Sequence, residues 1–375
     1  MGLIPYLLNS GWMLQCRKDW RYFERASHSV RETQSNLLRE MLSQNAGTDY
    51  GKAHDFQTIR TIADFQRQVP LSIYEDYESS ITQIRTGKQN VLTRDPVLML
   101  EPTSGSTSAA KLIPYTASLK SQFQRGIGAW IANLFQHRPA VRRGRAYWSI
   151  SPCLASSSDT YQPESDAVPI GFDDDTAYLT RFQRTAAKHV LAAPSSLSRL
   201  DDLRLFQHQT LLRLLLAEDL SLISIWSPTF LLALLERLKV DPDQLCRTLH
   251  NGQTDRELPT SLHFSGHPKR ARRIISLFEQ NDSLSDIVRH LWPHLAVISC
   301  WTDAAASRPA QQLQDVFPDI EIQPKGLIAT EAFVSFPIAD HPGGALSLTS
   351  HFFEFEPIKN NESNAGIRLA HQLEE

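Results

Sequence analysis

The stretch TSGSTSAAK, Thr103 to Lys111, places five hydroxyl side chains around a single glycine and ends in a lysine. Directly before it, Pro96 to Leu100 form an apolar run of strand length. After it, residues 117–135 repeat apolar side chains at helical spacing. We therefore expect a turn that follows a buried strand and precedes a helix.

A turn of this composition can bind phosphate. Glycine allows close approach, hydroxyls and backbone N–H groups donate hydrogen bonds to phosphate oxygens, and lysine adds positive charge. The motif is not a P-loop, because Leu112 follows Lys111 where a serine or threonine would meet Mg²⁺. A dinucleotide fingerprint would need more than one glycine. On composition alone, the alternative is a polar turn at the surface.

Strand and helix patterns alternate along the rest of the chain. Strands are predicted at 145–151, 220–226, 294–300 and 319–323, and the second and third of them are predicted to be buried. Helices are predicted at 19–44, 62–68, 206–218, 228–239 and 309–317. This order predicts an α/β protein whose largely parallel sheet is covered on both faces. Residues 345–356 alternate over two strand lengths, as in an antiparallel or barrel-like segment.

Composition narrows the class of protein. The 375 residues carry 38 basic and 41 acidic side chains, mixed along the chain, so neither nucleic acid nor an anionic membrane is an expected partner. No apolar run reaches the length of a membrane span. The four cysteines match no metal or redox spacing, which favours reduced thiols in the cytoplasm.

Two histidine pairs have the spacing of helical metal ligands, His263 with His267 and His290 with His294. Gly266 and Pro293 interrupt any helix between the partners, and no neighbouring cysteine or acid completes a ligand set. We do not interpret these histidines as a metal site.

TSGSTSAAK resembles the phosphate loop of acyl-adenylate-forming enzymes, and its continuation LIPYT is similar to one branch of them. That branch is the Gretchen Hagen family of auxin-responsive acyl-acid amido synthetases, particularly its bacterial members. Further similar stretches follow in the family's order and span nearly the whole chain: TDYGKAHDF, VPLSIYEDYESSI, YWSISP, PIGFDDDTAYL, SIWSPTFLLALL, LWPHLAVISCWTDAAA, KGLIATEAFVSFP and HFFEF.

The resemblance implies roles for individual residues. In the phosphate loop, the residues expected to meet ATP phosphates are Thr103, Ser104, Gly105, Ser106 and Thr107, with Lys111 close behind. Ser108 stands where the family usually has a glycine.

The GLIATE segment is expected to complete the nucleotide site. Thr330 resembles the threonine that contacts the α-phosphate, and Glu331 the glutamate that places Mg²⁺. Leu327 and Ala329 would lie along the nucleotide, Leu327 where many members have an aromatic residue. Asp303 and Ala304 fall where the superfamily lines adenine with a glycine-rich segment.

The start of the helix at 228–239 corresponds to a wall of the acyl pocket in similar enzymes. By this resemblance, Trp226, Pro228 and Phe230 are candidates for acyl-acid binding. Plain core packing is the alternative for these three residues.

The implied fold is the large N-terminal domain of the acyl-adenylate-forming enzymes. Residues 1–340 would form the adenylating domain with the ATP and acyl sites, and residues 341–375 the incomplete start of a barrel-like subdomain. In the family, the chain continues to a smaller C-terminal domain that closes over the site. We expect that domain to be absent, because this sequence stops at Glu375 where another strand would begin.

The implied reaction has two steps. ATP activates an acyl acid as its adenylate with Mg²⁺, and an amine such as an amino acid then takes the acyl group. The expected partners are these small molecules. The alternative is a truncated, non-catalytic remnant that at most binds nucleotide or acyl acid.

Overall fold

The computed structural model of the chain describes residues 2–103, 111–149, 168–169, 188–253, 258–357 and 366–373. Within these ranges the chain forms α-helices and short 3-10 turns around several small sheets. The helices are α1 (Leu3–Ser27), α2 (Val30–Asn45), α3 (Asp49–Ala53), α4 (Ile62–Gln68), α5 (Glu78–Arg85), α6 (Ala117–His137), α7 (Leu203–Leu216), α8 (Pro228–Val240), α9 (Pro242–Asn251), α10 (Pro268–Gln280), α11 (Leu284–Leu291) and α12 (Ser307–Val316). None of the helices in the described ranges combines the length and the hydropathy needed to cross a bilayer.

In the described part of the chain, the strands form one parallel sheet and four antiparallel pairs. The strands are β1 (Val97–Pro102), β2 (Leu112–Thr116), β3 (Arg145–Trp148), β4 (Leu220–Ser224), β5 (Gly252–Gln253), β6 (Phe264–Ser265), β7 (Val297–Cys300), β8 (Glu321–Pro324), β9 (Ser335–Pro337), β10 (Gly344–Leu346), β11 (Glu354–Phe355) and β12 (Arg368–Leu369). The parallel sheet has the order β3-β4-β7-β8, and all three of its pairings are parallel. The predicted α/β class is confirmed.

The two faces of the parallel sheet pack against different hydrophobic cores. Ile223 and Ile298 belong to the core formed with α7 to α12, whereas Leu222 and Val297 belong to the core formed with α1 and α6. Successive side chains of a strand point to opposite faces, so a strand covered on both sides must bury every residue. Every position of β4 and β7 is indeed buried, which explains their apolar sequences.

The hydroxyl-rich turn lies in a different setting from the one expected. The strand before it is confirmed as β1, but the residues directly after it form β2, which pairs antiparallel with β1. Helix α6 begins only at Ala117, capped by the Thr116 hydroxyl, which accepts a hydrogen bond from the Leu119 N–H. The segment LIPYT is only five residues long and contains a proline, so its strand pattern is weak. The helical pattern that follows it is much stronger, and the strand was therefore not predicted. The turn therefore joins two strands of a hairpin.

The single helix predicted over residues 19–44 is wrong, because the chain breaks between α1 and α2. At the break, the Ser27 hydroxyl donates to the Glu24 carbonyl at 2.8 Å and the Ser29 hydroxyl donates to the Arg25 carbonyl at 3.3 Å. Serine hydroxyls that bond to the preceding turn compete with the helical ladder. The break lacks glycine and proline, which are the usual sequence signals of a helix end.

The segment after the parallel sheet contains two antiparallel pairs, but of the predicted residues 345–356 only 345–346 and 354–355 lie in strands. Strand β9 pairs with β10, and β11 pairs with β12, each over two or three residues. Gln34 of α2 holds this segment through two hydrogen bonds, from its amide nitrogen to the carbonyls of Leu348 and His351. Its carbonyl oxygen accepts from the Phe353 N–H at 2.9 Å. The N-terminal helices are thus part of the same packed unit as residues 347–353.

Arg270 of α10 joins the ends of two other helices. Its side chain is only 5% exposed, its Nε donates to the Leu215 carbonyl at 2.7 Å, and its Nη2 donates to the Leu291 carbonyl at 2.9 Å. The last carbonyls of a helix have no partner within the helix, so buried ones need an external donor. The buried guanidinium supplies both, although burial lowers the pKa of Arg270.

We predict that Arg270→Met lowers the free energy of unfolding by roughly 2–4 kcal/mol, because it leaves two buried carbonyl groups without donors. Urea denaturation followed by circular dichroism measures this change. Arg272→Met on the same helix, where the side chain is exposed, is the matched control and should change stability by less than about 0.5 kcal/mol. Equal stability of the two variants would contradict the assignment.

Candidate functional site

The ends of the β1–β2 hairpin bring Thr103 and Lys111 together. The Thr103 N–H donates to the Lys111 carbonyl at 2.8 Å, which closes the hairpin at the base of the hydroxyl-rich turn. The remaining residues of the predicted phosphate loop, Ser104, Gly105, Ser106 and Thr107, lie outside the described residues, as does Ser108.

Lys111 is partly buried beside a 3-10 turn that precedes α5. Its Nζ lies 3.1 Å from a carboxylate oxygen of Glu75 and 5.0 Å from the centre of the Tyr74 ring. The Tyr74 hydroxyl accepts a hydrogen bond from the Leu112 N–H at 2.8 Å. A backbone hydrogen bond and the Lys111 ammonium lower the pKa of the Glu75 carboxyl. These contacts hold Lys111 at the end of the hairpin, in an ion pair that a bound phosphate would compete for.

Thr330 and Glu331 occupy the two central positions of a tight turn. The Ala329 N–H donates to the Ala332 carbonyl at 2.9 Å, and the Ala332 N–H donates back to the Ala329 carbonyl at 3.3 Å. Ile328 and Phe333 pair as an antiparallel bridge below the turn. Glu331 is exposed and Thr330 is partly exposed, so both side chains are accessible to a ligand. We refer to residues 329–332 as the ATEA turn.

The backbone beneath the ATEA turn packs tightly against β9. A Cβ atom added to Gly326 would lie 1.9 Å from the Ser335 carbonyl oxygen, so only glycine fits. The Leu327 N–H donates to the Ser335 hydroxyl at 2.9 Å, while the Leu327 side chain is 60% exposed. An exposed leucine at this position offers an apolar surface next to the turn.

Asp303 and Ala304 lie in the loop that leaves β7. Both are exposed, and Ala304 has a φ of 49°, the left-handed conformation that alanine adopts only at a cost. Asp303 accepts through its carbonyl from the Ala306 N–H at 3.0 Å, which holds the loop in this shape. A left-handed alanine occupies the segment where the superfamily is rich in glycine, and strain of this kind is often found at ligand sites.

The three acyl-pocket candidates lie in different surroundings. Pro228 is buried at the first position of α8, and the Ser227 hydroxyl accepts from the Thr229 N–H at 3.3 Å as the helix cap. Phe230 is partly buried against the core, 5.9 Å from the ring of Phe206. Trp226 instead lies at the carboxyl edge of the parallel sheet. Pro228 and Phe230 are thus buried or partly buried, and Trp226 is the member of the trio that lies at the sheet edge.

Lys325, which directly follows β8, is a candidate that the sequence analysis missed. Its Nζ donates to the Ser224 hydroxyl at 2.8 Å and to the Ile225 carbonyl at 3.1 Å, both at the end of β4. It also lies 4.5 Å from the centre of the Trp226 ring. Burial lowers the pKa of Lys325 to about 7. The signal available in the sequence was a single basic residue directly after a predicted strand.

No group of three or more histidine, cysteine or acidic side chains within the described residues is arranged to hold a metal ion. Glu331, the predicted metal ligand, is exposed and belongs to no such group in the described part of the chain. Mg²⁺ usually keeps several waters and binds through one or two carboxylates together with substrate phosphates. A single exposed carboxylate is compatible with that donor set.

Comparison with known proteins places the chain in a family. A sequence model described as the GH3 family N-terminal domain matches residues 20–322. The chain belongs to the GH3 family. Two of its curated relatives are a probable indole-3-acetic acid-amido synthetase GH3.7 of Oryza sativa subsp. japonica and a probable indole-3-acetic acid-amido synthetase GH3.1 of Arabidopsis thaliana. The first is 33% identical over 116 residues, 28% of this chain and 18% of the relative. The second is 31% identical over 120 residues, 29% of this chain and 19% of the relative.

Solved structures of GH3 enzymes share the fold. The GH3.15 acyl acid amido synthetase superposes with a TM-score of 0.71 at 17% identity, over 88% of this chain and 60% of that one. A structure described as AtGH3.15 acyl acid amido synthetase in complex with 2,4-DB gives a TM-score of 0.74 at 18% identity, over 92% of this chain and 61% of that one. The matched region thus spans about three fifths of the solved chains. The predicted acyl-adenylate-forming architecture is confirmed.

We predict that Gly326→Ala lowers the free energy of unfolding by about 1–3 kcal/mol, because the new Cβ pushes the backbone below the ATEA turn away from β9. Thermal unfolding followed by tryptophan fluorescence measures the change. Gly47→Ala is the control, since a Cβ there meets no atom within 4 Å. An unchanged melting temperature for Gly326→Ala would contradict the close packing described above.

We also predict that Ala304→Gly raises the free energy of unfolding by up to about 1 kcal/mol. Glycine relieves a left-handed conformation that costs alanine about 1–2 kcal/mol, and loses roughly 0.5–1 kcal/mol to its greater freedom in the unfolded chain. Ala305→Gly, next to it but without a positive φ, should instead lower stability. Chemical denaturation of both variants tests the pair, and opposite signs are the expected result.

Proposed function

We propose that this chain carries the adenylating machinery of an acyl-acid amido ligase. In the proposed reaction, the carboxylate oxygen of an acyl acid attacks the α-phosphorus of ATP, and pyrophosphate leaves. An amine, such as that of an amino acid, then attacks the acyl carbon, and AMP leaves with the oxygen that joined it to the acyl group. The observation that carries the proposal is the match of residues 20–322 to the N-terminal domain of the GH3 family.

The exposed groups of the site support the nucleotide part of the proposal. The ATEA turn presents the Thr330 hydroxyl and the Glu331 carboxylate, and the hairpin presents the Lys111 ammonium. We assign Thr330 to the α-phosphate and Lys111, with Thr103, to the outer phosphates. Fixed donors and positive charge aimed at phosphate oxygens stabilise the charge that develops during transfer. No covalent nucleophile is needed, because adenylation itself supplies the leaving group.

Glu331 is the residue that we assign to Mg²⁺. When bound, Mg²⁺ neutralises phosphate charge and orients the phosphates for in-line attack. Asp303, Ala304, Leu327 and Ala329 are assigned to the adenosine part of the nucleotide, and Trp226 to the acyl acid. Residues 1–340 would hold both sites in this proposal, and residues 341–375 would form the start of a barrel-like subdomain.

Acid-dependent exchange of labelled pyrophosphate into ATP is the test of adenylation. The assay uses the chain with Mg²⁺ and a panel of aromatic, indolic and aliphatic acids. We expect exchange with at least one acid, and we expect Glu331→Gln to reduce its rate about 100-fold or more, the effect typical of a lost charge-stabilising group. Glu279→Gln, which changes an exposed carboxylate on α10, is the matched control and should retain the wild-type rate.

The outcome of this assay also separates the two candidate functions. Absence of exchange with every acid, in a chain that still binds ATP by calorimetry, would contradict the ligase proposal and support a non-catalytic nucleotide-binding protein. Absence of both exchange and ATP binding would overturn the assignment of the nucleotide site as well.

A further inference from the structure

Lys325 projects from the end of β8 across the neighbouring strand β7. Its backbone N–H donates to the Cys300 carbonyl at 2.8 Å, which continues the pairing of β8 with β7 by one residue. Its side chain passes beyond β7 and reaches the end of β4, where Nζ donates to the Ser224 hydroxyl and the Ile225 carbonyl. An ammonium group has three N–H donors, so these two bonds leave one donor for another partner.

The indole ring of Trp226 lies beside this ammonium and next to a second indole ring, that of Trp301. The Trp226 ring centre is 4.5 Å from Nζ and 5.8 Å from the ring centre of Trp301, at an interplanar angle of 46°. Trp301 is 42% exposed, and its backbone N–H donates to the Trp226 carbonyl at 2.9 Å. Below the ammonium lies Trp130, with its ring centre 6.0 Å from Nζ. The ammonium therefore lies beside the Trp226 ring, which is next to the solvent-exposed Trp301.

The charge of Lys325 has no counter-ion in the described part of the chain. No carboxylate in that part lies within 4.0 Å of its Nζ, and the titratable group that acts on it is the Cys300 thiol. Burial raises the pKa of Cys300 to about 11, so this thiol is neutral near pH 7. Lys325 is partly buried. A cation withdrawn from water without an opposite charge is costly, and groups with a shifted pKa are frequent at binding sites.

We propose that Lys325 anchors the carboxylate of an aromatic acyl acid, whose ring lies against Trp226 and Trp301. This inference rests on the proposed function for the identity of the ligand as the acid substrate. The free N–H of the ammonium donates to a carboxylate oxygen, and the two indole faces supply apolar contact to a planar ring. Lys325 is in this role a residue that selects and positions the acid.

The lowered pKa of free Lys325 gives this anchor a measurable signature. Below pH 7 the amine is already protonated, so binding of a carboxylate takes up little or no proton. Above pH 7 the free amine is mostly neutral, and a bound carboxylate raises its pKa again, so binding takes up a proton. The affinity for the acid is therefore highest below pH 7 and falls as the pH rises above it.

Isothermal titration of the full chain with phenylacetate, 1-naphthoate and indole-3-acetate tests the anchor, with each primary amide as the neutral matched ligand. At pH 6.5 we expect at least one acid to bind about tenfold or more tightly than its amide. Titrations at pH 8 in HEPES and in Tris, which differ in ionisation enthalpy, should reveal uptake approaching about one proton per acid bound. No detectable binding of any acid, or equal affinity for acid and amide, would overturn the inference.

Substitutions distinguish carboxylate binding by Lys325 from a purely structural role in which Lys325 links β8 to β4. Lys325→Met should abolish the preference for acid over amide and the proton uptake. Lys325→Arg should keep the preference but lose the pH dependence, because arginine stays charged. Lys239→Met, at an exposed lysine near the end of α8, should behave like the wild type. A folded Lys325→Met variant that retains the wild-type preference for acid would contradict the role, and the wild-type proton uptake remains a test if that variant does not fold.

These binding measurements need no nucleotide, so the role of Lys325 and the ligase proposal can be contradicted independently of each other. Acid binding that depends on Lys325, without pyrophosphate exchange, would support the anchor and contradict the ligase. Exchange by Lys325→Met with the wild-type KM for the acid would support the ligase and overturn the anchor.

Discussion

The parallel alignment of four strands is the constraint on which the candidate site depends. In the order β3-β4-β7-β8, every strand leaves the sheet at the same edge, so chain segments from four distant parts of the sequence meet there. Ligands of open parallel sheets bind at this carboxyl edge for the same reason. Trp226, Trp301 and Lys325 are the first or second residues beyond their strands. Their proximity follows from strand order and register, since 75 residues separate the two tryptophans in the sequence.

The buried Arg270 and the partly buried Lys325 have different partners for their positive charge. Arg270 donates to the carbonyl groups of two helix ends, and its guanidinium lies 3.9 Å from the Glu218 carboxylate, so protein partners account for its burial. Lys325 also bonds to backbone and hydroxyl oxygen, but it keeps a donor and faces aromatic rings next to solvent. The guanidinium keeps its charge at any ordinary pH, whereas the pKa of an ammonium shifts readily on burial. A ligand that carries negative charge can therefore act on Lys325 as it cannot on Arg270.

Local sequence signals predicted many of the helices and strands. They failed for short segments and where tertiary contacts determine the secondary structure. The helix beginning at Pro228 was predicted from its serine cap and its proline, and both have the expected place. The break between α1 and α2 was missed, because hydroxyl bonds of Ser27 and Ser29 end the helix without a glycine or proline. Strand β2 was missed because it has only five residues and lies directly before a long amphipathic helix, so its own periodicity is weak. Its pairing with β1 is what makes it a strand.

The sequence by itself determined the α/β class and the family, because apolar runs and ordered motifs are properties that can be read along one chain. It also singled out Thr330 and Glu331, which the structure displays on an accessible turn. Only the tertiary structure decided that Trp226 lies beside a cation, whereas Pro228 is buried and Phe230 packs against the core. It also decided that Lys325 reaches across β7 to β4. The physical reason is that a side chain's solvation and hydrogen-bond partners depend on neighbours from other strands. No spacing within a single chain specifies those neighbours until the sheet has formed.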